Sequence, residues 1–367
     1  MIVSGSLADL TPSIFASLGL ESTNPLQVES SHGGRECFLL IDGLGSRQLR
    51  DYPEETLHLS QLVQEPAELR VGFPSTTVTS LTSIGTGLLP GLHAMLGYTV
   101  RVPDSGDPGR LLNPLKWDDR VDPLFWQPES TLFERAVAAG ISVHHVASKR
   151  YAGSGFTEAS LRGGTYLAAD THEELVRESA KSLARSRSFS YVYLNDLDAA
   201  GHAHGVGSQQ WRDALVSIDR LVGHLCKALP KGARLWVTAD HGMTNVGEKI
   251  VIDNELALDL TLIGGEPRAR HIYVREGSAS DVALRWRAIL GSRADVFTKD
   301  EAVGAGLFGS EVNERSLRRL GDVIAIPRDH GILIDESRVR FEGAMVGHHG
   351  ALTDEEVYVP LISVTLS

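Results

Sequence analysis

The chain has 367 residues and a formal net charge of −12, from 35 Lys and Arg against 47 Asp and Glu. With 42% hydrophobic and 22% charged residues, it has the composition of an ordinary globular protein, long enough for one large domain or two smaller ones. The acidic balance and the lack of any Lys/Arg cluster argue against a nucleic-acid polymer as partner, while leaving room for a small anion at a local positive site. No run of apolar residues is long enough to span a membrane. The opening "MIVSGSLADLTPSIFASLGL" lacks the basic and long apolar regions of a secretory leader. Cys37 and Cys226 are the only cysteines, both in apolar stretches. Two buried thiols in a reducing compartment, hence a cytoplasmic location, are expected rather than a disulfide.

In chain order, "CFLLI" (37–41) reads as a buried strand and leads into Asp42 of "DGLG". A short β-like "ELRVGF" precedes "FPSTTVTSLTSIGTG" (73–87), which packs eight hydroxyl side chains into fifteen residues. Val78, Leu81 and Ile84 recur every three positions there, predicting a helix that begins near residue 77. "VPDSGDPGRLLNP" (102–114) is a loop by composition, and Gly140 stands where a helix ending in "LFERAVAA" needs its C-terminal glycine. "SVHHV" (142–146) is a second strand, followed by "ASKRYAGSGFT" (147–157), whose Lys149 and Arg150 are candidates to reach a substrate anion.

Thr171 and Glu174 form a capping box ahead of the next helix. "YVYL" (191–194) then leads through Asn195 and Asp196 to Asp198 in "DAAGHAHG". Ser208 precedes an apolar stripe of Trp211, Leu215, Ile218, Val222 and Leu225, read as core packing. "RLWVT" (234–238) ends at Asp240 of "TADHGM". The alternation predicts an α/β fold with a mostly parallel central sheet flanked by helices. Within residues 255–340, "RHIYVRE", "SDVALRWRAILG" and "VIAIP" suggest a small strand–helix–strand insertion or cap, leaving 1–254 and 341–367 as the core.

Three strands thus end in carboxylates, and in an open α/β sheet those ends face the ligand crevice. Converging Asp42, Asp198 and Asp240 would repel one another unless cations lie between them. Metal-competent histidines accompany them: His202 four residues after Asp198, His241 beside Asp240, and the pair His348–His349 in "GHHG". Imidazole with carboxylate suits Zn2+, with Mn2+ or Fe as alternatives. His204 reads as peripheral, and adjacent His144 and His145 point to opposite faces of their strand, so at most one faces the site. A hydroxyl at the start of the helix in 73–87 can be a cap or a nucleophile stabilised by free backbone N–H groups. Spacing alone does not choose among Ser75, Thr76 and Thr77.

The ordered set "DGLG", "FPSTTVTSLTSIGTGLLPGLH", "YVYLNDLDAAGHAHG", "TADHGM" and "GHHG" resembles the alkaline phosphatase superfamily, within it the nucleotide pyrophosphatase/phosphodiesterase branch. The resemblance runs over residues 42–350 and implies an alkaline phosphatase-like fold with two divalent metal ions, Zn2+ foremost. It implies Thr77 as nucleophile, one ion held by Asp42, Thr77, Asp240 and His241, and the other by Asp198, His202 and His349. His349 rather than His348 fits the family's G-x-H-G, and Tyr193 fits the aromatic position ahead of the metal-binding Asp.

Two positions depart from that pattern. Ser80 stands where the family has an Asn that donates to phosphate, and Leu197 replaces a Pro. The cysteine-rich N-terminal modules of secreted animal members have no counterpart in this sequence.

The implied activity is hydrolysis of a small phosphorylated substrate, such as a nucleotide, through a covalent phospho-threonine, as in a phosphodiesterase or nucleotide pyrophosphatase. A phosphomonoesterase or phosphonate hydrolase is the alternative within the superfamily. From another class, a non-catalytic metal-binding interaction protein is the competitor. A sulfatase lacks its C-x-P-x-R motif, and a dinucleotide-binding reading of "DGLG" fails for want of a third glycine.

Overall fold

The protein is described from a computed structural model covering residues 2–63, 67–107 and 109–367. Its centre is an eight-stranded sheet in the order Ile2–Ser6, Ala67–Arg70, Tyr358–Thr365, Arg234–Thr238, Arg35–Ile41, Ser188–Leu194, Ser142–Ala147 and Thr165–Ala168. All neighbours run parallel except Tyr358–Thr365, which is antiparallel to both strands beside it. Ser188–Leu194 is buried at every position, because helices cover both faces of a parallel sheet; this is why these strands read as unbroken apolar runs.

Local signals set the helices that cover the sheet. Ser208 Oγ accepts the Trp211 N–H at the start of Gln209–Ala228, which buries Trp211, Leu215, Ile218, Val222 and Leu225. The Thr171–Glu174 capping box opens His172–Ser182 with both reciprocal bonds present. Among the described residues, no helix is long and apolar enough to cross a membrane.

A second, four-stranded sheet is antiparallel throughout, in the order Leu260–Glu266, Ala269–Val274, Val323–Pro327, Ala294–Thr298. Helix Ala279–Leu290 packs on it around a separate apolar cluster that includes Ile272, Val282, Trp286 and Val323. The region therefore holds more strands than a strand–helix–strand unit. Leu260–Glu266 is interrupted by two glycines, and Ala294–Thr298 is five residues long, so neither carries a clear periodic signal.

Two buried ion pairs tie this sheet to the following chain. Arg268 donates to both oxygens of Glu356 at 2.6 and 2.7 Å, and Arg270 pairs with Glu342. The chain then returns through Gly347–His348, which ladders with Thr244–Asn245 and carries "GHHG" to the end of the central sheet.

Candidate active site

The strands that end in Asp240, Asp42 and the Asp198 segment are consecutive in the sheet, so their carboxylates emerge side by side at one edge. Asp42, Asp240 and His241 are buried, with ligand atoms within 4.8 Å of one another, and Asp198, His202 and His349 form a second such group. His241 Nε2 lies 3.5 Å from both Asp42 Oδ1 and Asp240 Oδ2. His202 Nε2 and His349 Nε2 lie 3.4 and 3.7 Å from Asp198 Oδ1. The His241 and His349 rings stack at 3.6 Å between centroids, so the two groups adjoin.

Each histidine is oriented through its other nitrogen. Nδ1 of His202, His241 and His349 meets the carbonyls of Gly347, Gly242 and Ser75 at 2.8, 3.1 and 3.0 Å. An Nδ1–H donated to a carbonyl leaves the Nε2 lone pair facing the carboxylates, the tautomer a metal ligand requires. Asp42 Oδ1, Asp198 Oδ1 and Asp240 Oδ2 are buried without a hydrogen-bond partner among the described residues. Buried carboxylate oxygens facing imidazole lone pairs fit cations, and no other group among the described residues satisfies them.

Without a cation, burial and then the neighbouring Asp240 and Asp198 push Asp42 well above the usual carboxylate range. Burial and then His241 and His202 hold His349 well below the usual imidazole value. Tyr193 donates its hydroxyl to Asp42 Oδ2 and fixes that carboxylate from behind.

Helix Thr77–Thr86 aims its first turn at this edge. Thr77 Oγ1 lies 3.1 Å from His241 Nε2. The other hydroxyls have separate partners: Ser75 donates to the Ala351 carbonyl, Thr79 to Met95, Thr82 to Val78 and Thr86 to Thr82, while Ser83 meets His93. Thr76 is the N-cap residue but makes no side-chain capping bond. Ser80, one turn into the helix, is buried, and its Oγ has no partner among the described residues. Geometry thus separates Thr77 from Ser75 and Thr76 where spacing alone did not.

Other residues singled out from sequence fall around this centre. Lys149 is exposed in the turn Lys149–Tyr151, whereas Arg150 donates to Asn195 Oδ1 at 2.6 Å and lies over the Tyr151 ring. His204 is exposed at the end of its helix. His348 is buried against the Glu342 carbonyl, 3.2 Å from its Nε2, outside both ligand groups. His145 is the inward member of its pair and, with Tyr151, Tyr166, Tyr191 and Tyr193, lines an aromatic pocket that reaches Thr77.

A second cavity, of about 530 Å3, borders Asp198, His202 and His349 and is edged by Tyr98, Glu266 and Arg338. Burial pushes the Glu266 carboxyl up to about 8. Tyr151 and Glu266 were not singled out from sequence. Tyr151 lay in a loop read for its basic residues, and Glu266 reaches the site only through the fold of the second sheet.

This crevice, at one edge of a central mixed sheet flanked by helices, defines an alkaline phosphatase-like α/β fold. The model of the type I phosphodiesterase / nucleotide pyrophosphatase family matches residues 37–352, and the chain belongs to that family. It is 35% identical over 249 residues to ectonucleotide pyrophosphatase/phosphodiesterase family member 7 of Rattus norvegicus, covering 61% of this chain and 53% of that protein. It is 24% identical over 258 residues to bis(5'-adenosyl)-triphosphatase ENPP4 of Pongo abelii, covering 62% of this chain and 52% of that protein. The chain thus spans about half the length of these curated relatives.

Among solved structures, murine ectonucleotide pyrophosphatase/phosphodiesterase 5, in an inactive form complexed with AMP, superposes with a TM-score of 0.72 at 17% identity, over 89% of this chain and 87% of that one. The human counterpart gives 0.72 at 18% identity, over 90% and 87%. At such identities the likeness establishes the fold.

Proposed function

We propose that this chain is a metal-dependent phosphodiesterase or nucleotide pyrophosphatase that uses Thr77 as nucleophile. The observation that carries the reading is the meeting of Thr77 Oγ1, at a helix N-terminus, with two adjoining Asp/His groups whose carboxylates each bury one oxygen without a partner among the described residues. Family membership supports the reaction class. The AMP in the murine neighbour and the triphosphatase name of the orangutan relative support a nucleotide-like substrate.

Asp42, Asp240 and His241, with Thr77, would hold one divalent cation, and Asp198, His202 and His349 the other. Zn2+ is the ion we propose, because mixed imidazole and carboxylate sets suit it. Such ions lower the pKa of a hydroxyl and of water and offset charge on phosphoryl oxygens.

The chain's own residues do the rest. The Thr77 oxygen attacks phosphorus and carries the phosphoryl group as a threonine ester, while the first alcohol leaves. Free N–H groups at the start of Thr77–Thr86 face the developing negative charge. Ser80, whose hydroxyl has no partner among the described residues, would donate one hydrogen bond to a phosphate oxygen, and Tyr193 keeps Asp42 in position. The aromatic pocket of Tyr151, Tyr166 and Tyr193, about 50 Å3 in volume, would have to open to take a flat ring such as a nucleobase. Lys149 would meet an anionic substrate only by a movement of its turn. Water then attacks the threonine ester and releases the second product.

The free thiols of Cys37, buried, and Cys226, half-buried, support the proposal of a reducing, cytoplasmic location, which fractionation of the native cells would check.

Turnover of a nitrophenyl phosphodiester and of the matched monoester by zinc-loaded protein tests the reaction class. Preference for the diester is expected, with loss of activity on chelation and recovery on adding Zn2+. Preference for the monoester would move the chain to the phosphatase alternative, and chelator-resistant hydrolysis would contradict the metal dependence.

A further inference from the structure

Glu266 ends the strand Leu260–Glu266 of the second sheet and edges the cavity of about 530 Å3 beside Asp198, His202 and His349. Its carboxyl is half satisfied. Oε2 accepts the Tyr98 backbone N–H at 2.7 Å, while Oε1 is buried with no partner among the described residues. Two glycines make the space it occupies. A Cβ on Gly350 would lie 2.8 Å from Glu266 Cγ and 3.2 Å from Oε1, and one on Gly97 would lie 3.1 Å from Oε2. Gly350 directly follows His349, so the Glu266 carboxyl lies against the loop that brings this histidine to the site.

A buried carboxyl oxygen left unpaired is costly, and a hydrogen-bond donor delivered by a ligand removes the cost. Arg338 borders the same cavity, with Asp335 and Glu342 at 3.8 and 3.7 Å, beyond hydrogen-bonding distance. Leu111, Phe341 and Met345 supply apolar wall. The cavity thus presents an acceptor and a separate donor. A cationic arm would oppose Arg338, whereas the Glu266 carboxyl, protonated or ionised, can accept from a hydroxyl, so neighbouring hydroxyls of a neutral polyol can satisfy both.

We propose that Glu266 is a specificity-determining residue that binds a hydroxyl of the substrate arm seated in this cavity, so that the preferred substrates are phosphodiesters of a sugar or other polyol. The inference rests on the phosphodiesterase reading above and adds to it the chemistry of one arm.

The test compares zinc-loaded full-length protein on three nitrophenyl diesters that differ only in the second arm: glyceryl, propyl and aminoethyl. The wild type is expected to favour the glyceryl ester in kcat/KM, chiefly through KM. Glu266→Ala is expected to lower kcat/KM for the glyceryl ester by about tenfold more than for the propyl ester, the scale of one hydrogen bond to a carboxyl group. Glu266→Gln, which keeps an acceptor and adds donors, should recover most of that difference. Melting curves separate binding effects from failure to fold, and the wild-type preference tests the proposal with no substitution at all.

Equal losses on the glyceryl and propyl esters would overturn the proposal by making Glu266 a structural residue. A Glu266-dependent preference for the aminoethyl ester would overturn the polyol assignment. Turnover without any preference would overturn this inference alone. No turnover of any diester would overturn the phosphodiesterase reading, and this inference with it.

Discussion

Asp42, Asp198 and Asp240 each bury a carboxylate oxygen without a partner, and three such atoms in one crevice are strongly unfavourable unless cations complete them. Replacing His349 by Ala should therefore remove one of two bound metal equivalents, measurable by elemental analysis. Turnover of a nitrophenyl diester should fall by about a hundredfold or more in the same variant. Tyr193→Phe tests the outer contact. Losing the hydroxyl donated to Asp42 should weaken zinc retention about tenfold in competition with a chelator.

The gathering of these Asp and His residues was legible because each lies at the end of an apolar run or within a short motif, although His349 was told from His348 only by resemblance. Thr77 was chosen only by resemblance, since Ser75 and Thr76 carry the same chemistry two and one residues away. Tyr151 and Glu266 were not legible. Nothing in their neighbourhoods marks them, and both depend on contacts made far along the chain.

Helix Thr77–Thr86 must hold its first turn against His241, and close packing near its far end sets that position. A Cβ on Gly85 would come within 1.9 Å of the Ser160 carbonyl oxygen, so Gly85→Ala must push this helix away from Gly155–Ser160. An overpacking cost of about 1–3 kcal/mol is expected in denaturant unfolding, together with reduced kcat. Thr171→Ala is the contrasting case. It removes a cap worth about 1 kcal/mol from helix His172–Ser182, which carries none of the residues gathered in the crevice, and should leave kcat unchanged.

The central strands were readable as apolar runs, but the antiparallel strand Tyr358–Thr365 was not, and Pro360 is the reason. A proline within a run reads as an edge strand or a loop. Here residues 358–361 pair only with Ala67–Arg70 and residues 362–365 only with Arg234–Thr238. Pro360 thus occupies the half of an interior strand that has a single ladder to make.

Across the whole molecule, the net charge of −12 would repel a phosphate ester. The two divalent cations proposed would balance three aspartates and a threonine alkoxide and leave the crevice near neutral. Substrate affinity should accordingly fall on metal removal more than on added salt.

The fold also stakes stability on neutral buried imidazoles. Burial lowers His93 to about 3 and His145 and His271 to about 4, from 6.5. Above pH 6.5 these rings are neutral in folded and unfolded chains alike. Below it the unfolded chain takes up protons that the fold refuses, so stability is lost as pH falls from 6.5 through the folded values near 3 to 4. Each ring costs about 3 to 5 kcal/mol when the transition is complete, His93 the most. Glu266, raised from 4.5 to about 8, acts in the opposite sense as pH rises between those values, as do the raised Asp42 and Asp240 when no cation is bound. Denaturant unfolding between pH 7 and 4 should therefore show a steep loss of stability; a flat profile would contradict the neutral buried histidines.

Zinc-loaded Thr77→Ala, with metal content and diester turnover measured on the same sample, tests whether Thr77 attacks phosphorus beside a two-metal centre. Two retained zinc equivalents and a fall in kcat of about a thousandfold or more are expected. Activity within tenfold of wild type, with both metals bound, would show that another group, or water alone, attacks phosphorus.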